Sequence, residues 1–291
     1  MKRRGRPFLW LCLPLAALLL FLFILIFDRR PAGSTPKKPS KTSGSAVPAA
    51  PPENPSARSE PRKSPESPVP GPRAAIIIDD IGYSLEAVEA VYKIGHPLTV
   101  SILPDAALAE KSAALAAACG LEIMLHLPFE SAAEKNGTRR FEGTISEGMR
   151  SAEIRTAVIR ALARIPGAAG VNNHTGSAAT GEVRLMKPVF QVLKARGLYF
   201  IDSRTTAETI AYEEAVRIGV KSASRNVFID ADSDDAAIEA RLRELFLLAK
   251  KNGRAVGICH PKRESLAALA RHIGLAEAYG ITLVFASAIV D

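Results

Sequence analysis

The sequence predicts an α/β fold for residues 74–291, barrel-like and built from seven to eight mostly parallel strands. Three observations predict it. Apolar runs of strand length recur about eight times, amphipathic stretches at helical spacing separate them, and the runs are continuous rather than alternating. A strand, helix, strand rhythm places helices outside a parallel sheet, and strands covered on both faces are continuously apolar. Eight strands in 218 residues leave no room for a second folded domain. That favours closure related to a (β/α)₈ barrel over an open doubly wound sheet.

In chain order the expected strands are Ala74–Asp79, Leu98–Leu103, Leu121–Leu127, Ala169–Asn172, Leu198–Asp202, Val227–Asp230, Arg254–His260 and Ile281–Ala286. Between them, Ile154, Val158, Ala161, Leu162 and Ile165 recur at helical spacing, as do Ile238, Leu242, Leu245 and Ala249.

The segment ahead of this domain has a different composition. Residues 1–73 hold 13 of the 38 Lys and Arg but 4 of the 30 Asp and Glu, so they are net +9 and the rest is −1. A nucleic-acid surface needs basic residues gathered on a folded face; the charge here sits in the tail, and no nucleic-acid partner is expected. Phe8 to Phe27 is an uncharged run of 20 residues behind Lys2, Arg3, Arg4 and Arg6. At about 1.5 Å per residue it spans a bilayer core of about 30 Å. It is longer than a cleaved signal's apolar region and has no small-x-small site, so 1–27 is expected to be an uncleaved inner-membrane anchor, single-pass, with the domain in the periplasm or otherwise outside the cytoplasm. Residues 28–73 carry 12 of the 20 prolines and no apolar period, the composition of an extended, disordered linker. Cys12 falls in the apolar run, while Cys119 and Cys259 sit in apolar contexts and are expected as two buried free thiols.

Chemistry in parallel folds gathers at the carboxyl ends of strands, and polar residues stand at those ends here. They are Asp79-Asp80, His126, Asn172-Asn173-His174, Asp202-Ser203-Arg204, Asp230 and His260. Two adjacent carboxylates leaving a buried strand need partners, because uncompensated buried charge costs several kcal/mol; one of them is expected to meet a metal. Asp80 or Ser84 as a cap of a helix starting near Leu85 is the competing use. Three histidines converging on the rim with an acidic pair make a hydrolytic zinc set of Asp, His and His, with an open position for water. Such zinc lowers the pKa of water to about 7 and polarises a carbonyl. Glu130 follows His126 by four residues. Arg204 beside Asp202 fits a structural ion pair as well as a site role.

Six blocks in order, Ile76-Ile77-Ile78-Asp79-Asp80-Ile81-Gly82, His126-Leu127-Pro128-Phe129-Glu130, Gly170 to Ser177, Phe200 to Thr206, Arg225 to Asp230 and Gly257-Ile258-Cys259-His260-Pro261, resemble the divergent polysaccharide deacetylases over about residues 74–290. These are distant relatives of the NodB-homology carbohydrate esterases. The resemblance implies a distorted, NodB-like (β/α) barrel, with Asp79 as general base, Asp80 and His126 as metal ligands, and His260 protonating the leaving amine. The family's second motif histidine is Glu130 in this chain, which makes His174 the candidate third ligand and Glu130 the alternative. The Arg-Pro-Pro-like motif of the fourth strand is replaced by the Asn172-Asn173-His174 block.

The expected function is an envelope-anchored, metal-dependent hydrolase, most simply a zinc enzyme, deacetylating an N-acetylated polysaccharide such as peptidoglycan. Asn172, Asn173, Asp202, Arg204 and Asp230 are expected to line the site or orient its ligands. A catalytically inactive glycan-binding or scaffold protein on the same fold is the alternative. The composition break also makes a physical prediction. Limited proteolysis should cut within residues 28–73 first and leave a resistant fragment beginning near residue 74; a linker as resistant as the domain would contradict it.

Overall fold

The computed structural model describes residues 71–135 and 141–291. The expected anchor and all but the last three residues of the expected linker lie outside them. Among the described residues, no helix is long and apolar enough to cross a membrane.

The chain enters through β1 (Arg73–Ile81), whose Ile76, Ile77 and Ile78 are fully buried. Each such side chain contributes about 1.5–3 kcal/mol by leaving water. There follow α1 (Leu85–Lys93), β2 (Thr99–Ile102), α2 (Ala109–Ala118), β3 (Glu122–Phe129), the short α3 (Ala132–Lys135), α4 (Ser151–Arg164) and β4 (Gly170–Thr175). The second half continues with α5 (Val183–Ala195), β5 (Tyr199–Asp202), α6 (Ala211–Ile218), β6 (Ser222–Ser224), β7 (Val227–Phe228), α7 (Asp235–Asn252), β8 (Arg254–Cys259), α8 (Arg263–His272), α9 (Leu275–Ala278) and β9 (Thr282–Leu283).

Local chemistry sets the helix ends. Ser84 caps α1 by accepting from the Ala87 N–H at 3.3 Å, with Val88 and Val91 on the buried face. Asp234 caps α7, and Gly253, in left-handed backbone with φ 80°, stops it.

Every strand pairing is parallel, in the order β6-β5-β4-β3-β2-β1-β8-β7, with β9 beside the start of β1. The sheet curls into an incomplete barrel, the distorted fold the sequence predicts. Its seam lies between β6 and β7, which do not pair with each other. The two residues joining them bond outward, the Arg225 N–H to the Asp202 carbonyl and the Asn226 N–H to the Val256 carbonyl.

Side-chain alternation divides the core in two. Ala74, Ile76 and Ile78 belong to the large outer cluster with the helices, whereas Ala75 and Ile77 join Met124, Tyr199, Ile201, Val256 and Ile258 inside the curl. The C-terminal segment plugs that interior with Ala286 and Ile289. Glu122 holds the plug, accepting from Thr99 Oγ1 and Tyr199 Oη at 2.9 Å and from the Ser287 N–H at 3.1 Å.

Several expectations are corrected in detail. β6, Ser222-Ala223-Ser224, carries no apolar run and was not expected. The expected strand Val227–Asp230 shortens to β7, and Ile281–Ala286 becomes two strand residues and a 3₁₀ turn at Ala286–Ala288. Cys119 and Cys259 are both free, but only Cys259 is buried; Cys119, just past the end of α2, is half-buried.

Gly82 shows how tightly the top of β1 is built. Its φ is +131°, and a Cβ there would lie 2.6 Å from that of Ala106. Gly82→Ala is therefore expected to destabilise the domain by about 1–3 kcal/mol in denaturant unfolding. An unchanged midpoint would show that the β1–α1 turn yields more easily than this packing implies.

Candidate active site

Successive residues of a strand point to opposite faces, so Asp79 and Asp80 should diverge. A bulge prevents that. The β1–β2 register runs Ile78↔Val100 and then Ile81↔Ile102, three residues against two, and the extra residue falls at the carboxylate pair. Asp80 takes φ 57°, so both side chains face the interior of the curl. Ser84, not Asp80, caps the following helix.

Asp79 is 3% exposed, and its Oδ1 accepts from Asn172 Nδ2 at 2.8 Å. Asn172 lies directly beside His126 in the β3–β4 register. Its Oδ1 accepts from Ser101 Oγ at 2.6 Å and meets His126 Nδ1 at 2.7 Å. With Nδ1 as the donor, His126 keeps Nε2 for the site, where it lies 3.2 Å from Asp80 Oδ1, 3.1 Å from His174 Nδ1 and 3.7 Å from Asp79 Oδ2. His174 Nδ1 is 3.0 Å from Asp80 Oδ1.

Asp80, His126 and His174 thus offer three ligand atoms within 4.8 Å of one another. Asp80 Oδ1 is buried and has no hydrogen-bond donor. An oxygen left without a donor, turned towards two imidazole nitrogens, fits a divalent cation, and one O and two N donors suit zinc. Glu130 is not among these ligands. It is buried at the end of β3, and its Oε2 accepts from the Glu147 N–H at 2.8 Å.

His260, at the end of β8, points Nε2 towards Asp80 Oδ2 at 3.9 Å, while its Nδ1 meets Asp230 Oδ1 at 2.9 Å. Asp230 also accepts from the His260 N–H at 3.1 Å and from Ser265 Oγ at 2.9 Å. Asp230 therefore orients the histidine from behind its ring. A cavity of about 480 Å³ opens beside this pair, lined by Asp80, Phe228, Asp230, His260, Pro261 and Lys262.

The two adjacent carboxylates are driven apart electrostatically. Burial raises the pKa of Asp79, against the opposing influence of His126 and the Asn172 bond. Burial also works against the charge on Asp80, but the imidazoles of His126 and His174 outweigh it and hold that carboxyl well below the usual carboxylate range. Burial disfavours charged His126 and His260 too. It is overcome by Asp79 and Asp80 for His126 and chiefly by Asp230 for His260, so both pKa values rise.

Other expected site residues are placed elsewhere. Asn173 accepts from the Ser203 N–H and donates to the Thr175 carbonyl, which ties β4 to the loop after β5. Asp202 accepts from the Arg204 N–H at 2.8 Å and from Thr209 Oγ1 at 3.0 Å, and so pins that same loop. The Asp202–Arg204 contact runs through the backbone N–H, and the Arg204 side chain is exposed. Ser101, Ser265, Phe141 and Phe228 were not anticipated. Of these, Ser101 alone left a signal, being the one polar residue between buried Val100 and Ile102 and on their opposite face.

The rim thus gathers Asp80, His126 and His174 in a set that could hold a metal ion, with a second carboxylate and an Asp-supported histidine beside it. The model of the divergent polysaccharide deacetylase family matches residues 76–290, and the chain belongs to that family. An uncharacterized protein of Haemophilus influenzae is 32% identical over 197 residues, 68% of this chain and 69% of that one. The uncharacterized protein YibQ of Escherichia coli K12 is 35% identical over 199 residues, 67% of this chain but 60% of its own length. Among solved structures, an uncharacterized protein of Agrobacterium tumefaciens C58 superposes with a TM-score of 0.72 at 26% identity, covering 78% of this chain and 92% of that one.

The geometry predicts which substitutions abolish metal binding. Ala at Asp80, His126 or His174 should remove stoichiometric zinc, and Asn172→Ala should weaken it about 10–100-fold. Glu130→Gln, which keeps an acceptor for the Glu147 N–H, should retain one ion per chain. Full occupancy in His174→Ala, measured by elemental analysis, would show that the third ligand is misassigned.

Proposed function

We propose that this protein is a metal-dependent hydrolase removing acetyl groups from an N-acetylated polysaccharide such as peptidoglycan, held at the inner membrane by residues 8–27 with its domain outside the cytoplasm. One observation carries the reading. Asp80 Oδ1, buried and without a hydrogen-bond donor, faces His126 and His174 while Asp79 and the His260–Asp230 pair flank it. Membership of the family supports a carbohydrate substrate, and the uncharged run behind four basic residues supports the anchor.

Asp80, His126 and His174 would hold a divalent ion, zinc by its ligands, and that ion would supply Lewis-acid polarisation of the acetamide carbonyl and a more acidic water. The chain's own groups do the rest. Asp79, its pKa raised by burial, accepts the proton of the attacking water. Asn172 holds its carboxylate in place. His260 gives a proton from Nε2 to the departing nitrogen as the C–N bond breaks, while Asp230 keeps Nδ1 protonated and the ring oriented. The products are acetate and a free amine. The cavity bounded by Phe228 and Lys262 is where the sugar bearing the acetamide would lie.

Acetate release from N-acetylated oligosaccharides and peptidoglycan by zinc-loaded protein tests the reading. Asp79→Asn should retain zinc but lose about 10²–10⁴-fold in kcat, and His260→Ala should resemble it. If zinc-loaded wild type releases no acetate from any of these glycans yet binds them as well as Asp79→Asn does, the glycan-binding alternative replaces the enzyme.

A further inference from the structure

His174 is held differently from the other two members of the cluster. His126 has its outer nitrogen tied to Asn172, whereas among the described residues no hydrogen bond reaches the second nitrogen of His174. Metal-binding imidazoles ordinarily have that nitrogen tied, which fixes the ring. The side chain has other staggered wells about its Cα–Cβ bond, and a move to one of them would carry the ring, and Nδ1 with it, away from Asp80.

Ring packing stands where the hydrogen bond is lacking. Phe141 meets His174 at a centroid distance of 4.7 Å and an angle of 87°, and the His126 ring lies 4.8 Å away at 74°. Perpendicular edge contacts of this kind are a favoured aromatic geometry, and a ring gripped between two others cannot swing to another well without losing both.

Phe141 is in turn fastened to β3. Its carbonyl accepts from Thr144 Oγ1 at 2.7 Å and from the Thr144 N–H at 3.3 Å. The next residue, Ile145, is fully buried and pairs with the end of β3; its N–H donates to the Pro128 carbonyl and its own carbonyl accepts from the Glu130 N–H, both at 2.9 Å. Two residues further on, the Glu147 N–H donates to the Glu130 carboxylate. Glu130 therefore grips the segment 141–147 through both its backbone and its side chain.

We propose that Phe141 is a positioning residue that keeps Nδ1 of His174 turned towards Asp80 and His126, and that Glu130 acts through it by fastening residues 141–147 to the end of β3. This rests on the metal reading of the site and adds to it two residues that touch neither metal nor substrate.

Zinc titrated into the full chain against a competing chelator tests it, with the thermal midpoint of the metal-free protein as a second readout. Phe141→Ala and Glu130→Ala are each expected to weaken zinc binding about 10–100-fold. Phe141→Tyr, which keeps the ring, and Glu130→Gln, which keeps the acceptor, should bind as wild type does. Should Glu130→Ala fail to fold, Glu147→Pro removes the N–H that Glu130 grips at an exposed position and should weaken zinc in the same way. Wild-type affinity in Phe141→Ala overturns the proposal. So does a collapse of its metal-free thermal midpoint, which would make the ring a residue of the fold alone. A wild-type chain that takes up no zinc refutes the metal reading itself, a result told apart from the others because the variants then have nothing to lose.

Discussion

The carboxamide of Asn172 constrains everything around it. The ionised Asp79 carboxylate only accepts hydrogen bonds, so the amide must turn Nδ2 towards it, which leaves Oδ1 facing Ser101 and His126. That oxygen in turn requires a proton on His126 Nδ1, and the lone pair of Nε2 is thereby committed to the cluster with Asp80 and His174. One side chain settles the partner of a carboxylate, the tautomer of an imidazole and the direction of its free nitrogen. It does so only because β3 and β4 pair with His126 opposite Asn172; a slip of one residue would turn one of the two to the outer face. Fold register and site chemistry are the same constraint.

The bulge in β1 adds what a regular strand would forbid. It brings two consecutive carboxylates to one side, and the left-handed backbone at Asp80 is the cost, on the order of 1–3 kcal/mol. Thr175 and Arg204 also have positive φ, and they lie at or just past the ends of β4 and β5. Backbone strain thus gathers on the rim while the strands beneath are regular and buried, and fully buried isoleucines anchor the strained end of β1. Once side by side, the two carboxylates differ by surroundings alone. Burial dominates at Asp79 and two imidazoles dominate at Asp80, and their pKa values move in opposite directions. Environments that separate like groups in this way assign them different tasks.

Much of this was legible in the residues. The parallel barrel followed from apolar runs of the right length, and the rim from the polar residues that ended them. Alternation along the strands refines the site further. Counting by twos from the inner residues Ala75, Met124 and Val256, and from Gly170, where a Cβ would meet the inner Tyr199 ring, reaches Asp79, His126, Asn172, His174 and His260, whereas Asn173 and Asp202 fall on the outer count and serve loops. Three features had no such signal. The three residues of β6 are polar enough to read as loop, the bulge at Asp79–Asp80 depends on the neighbouring strand, and Glu130 spends its carboxylate on a backbone N–H 17 residues away. Each is decided by contacts between distant segments, which no local pattern encodes.

The two best-placed histidines show how such contacts sort like residues into different work. His126 and His260 both end strands, both point Nε2 into the site, and both have pKa values raised by neighbouring carboxylates. The difference lies in where those carboxylates stand. For His126, Asp79 and Asp80 face Nε2 itself, with a neutral amide behind the ring. Negative charge at that place is satisfied by a metal cation as well as by a proton, which suits the nitrogen to the ligand role proposed for it. For His260, Asp230 binds Nδ1 at the back of the ring, and the nearest carboxylate oxygen in front is 3.9 Å away. The charge that stabilises the imidazolium is then behind it, and Nε2 is left facing the site. The proposed ligand and the proposed acid are the same side chain on the same rim, distinguished by which ring nitrogen the fold gives to a carboxylate.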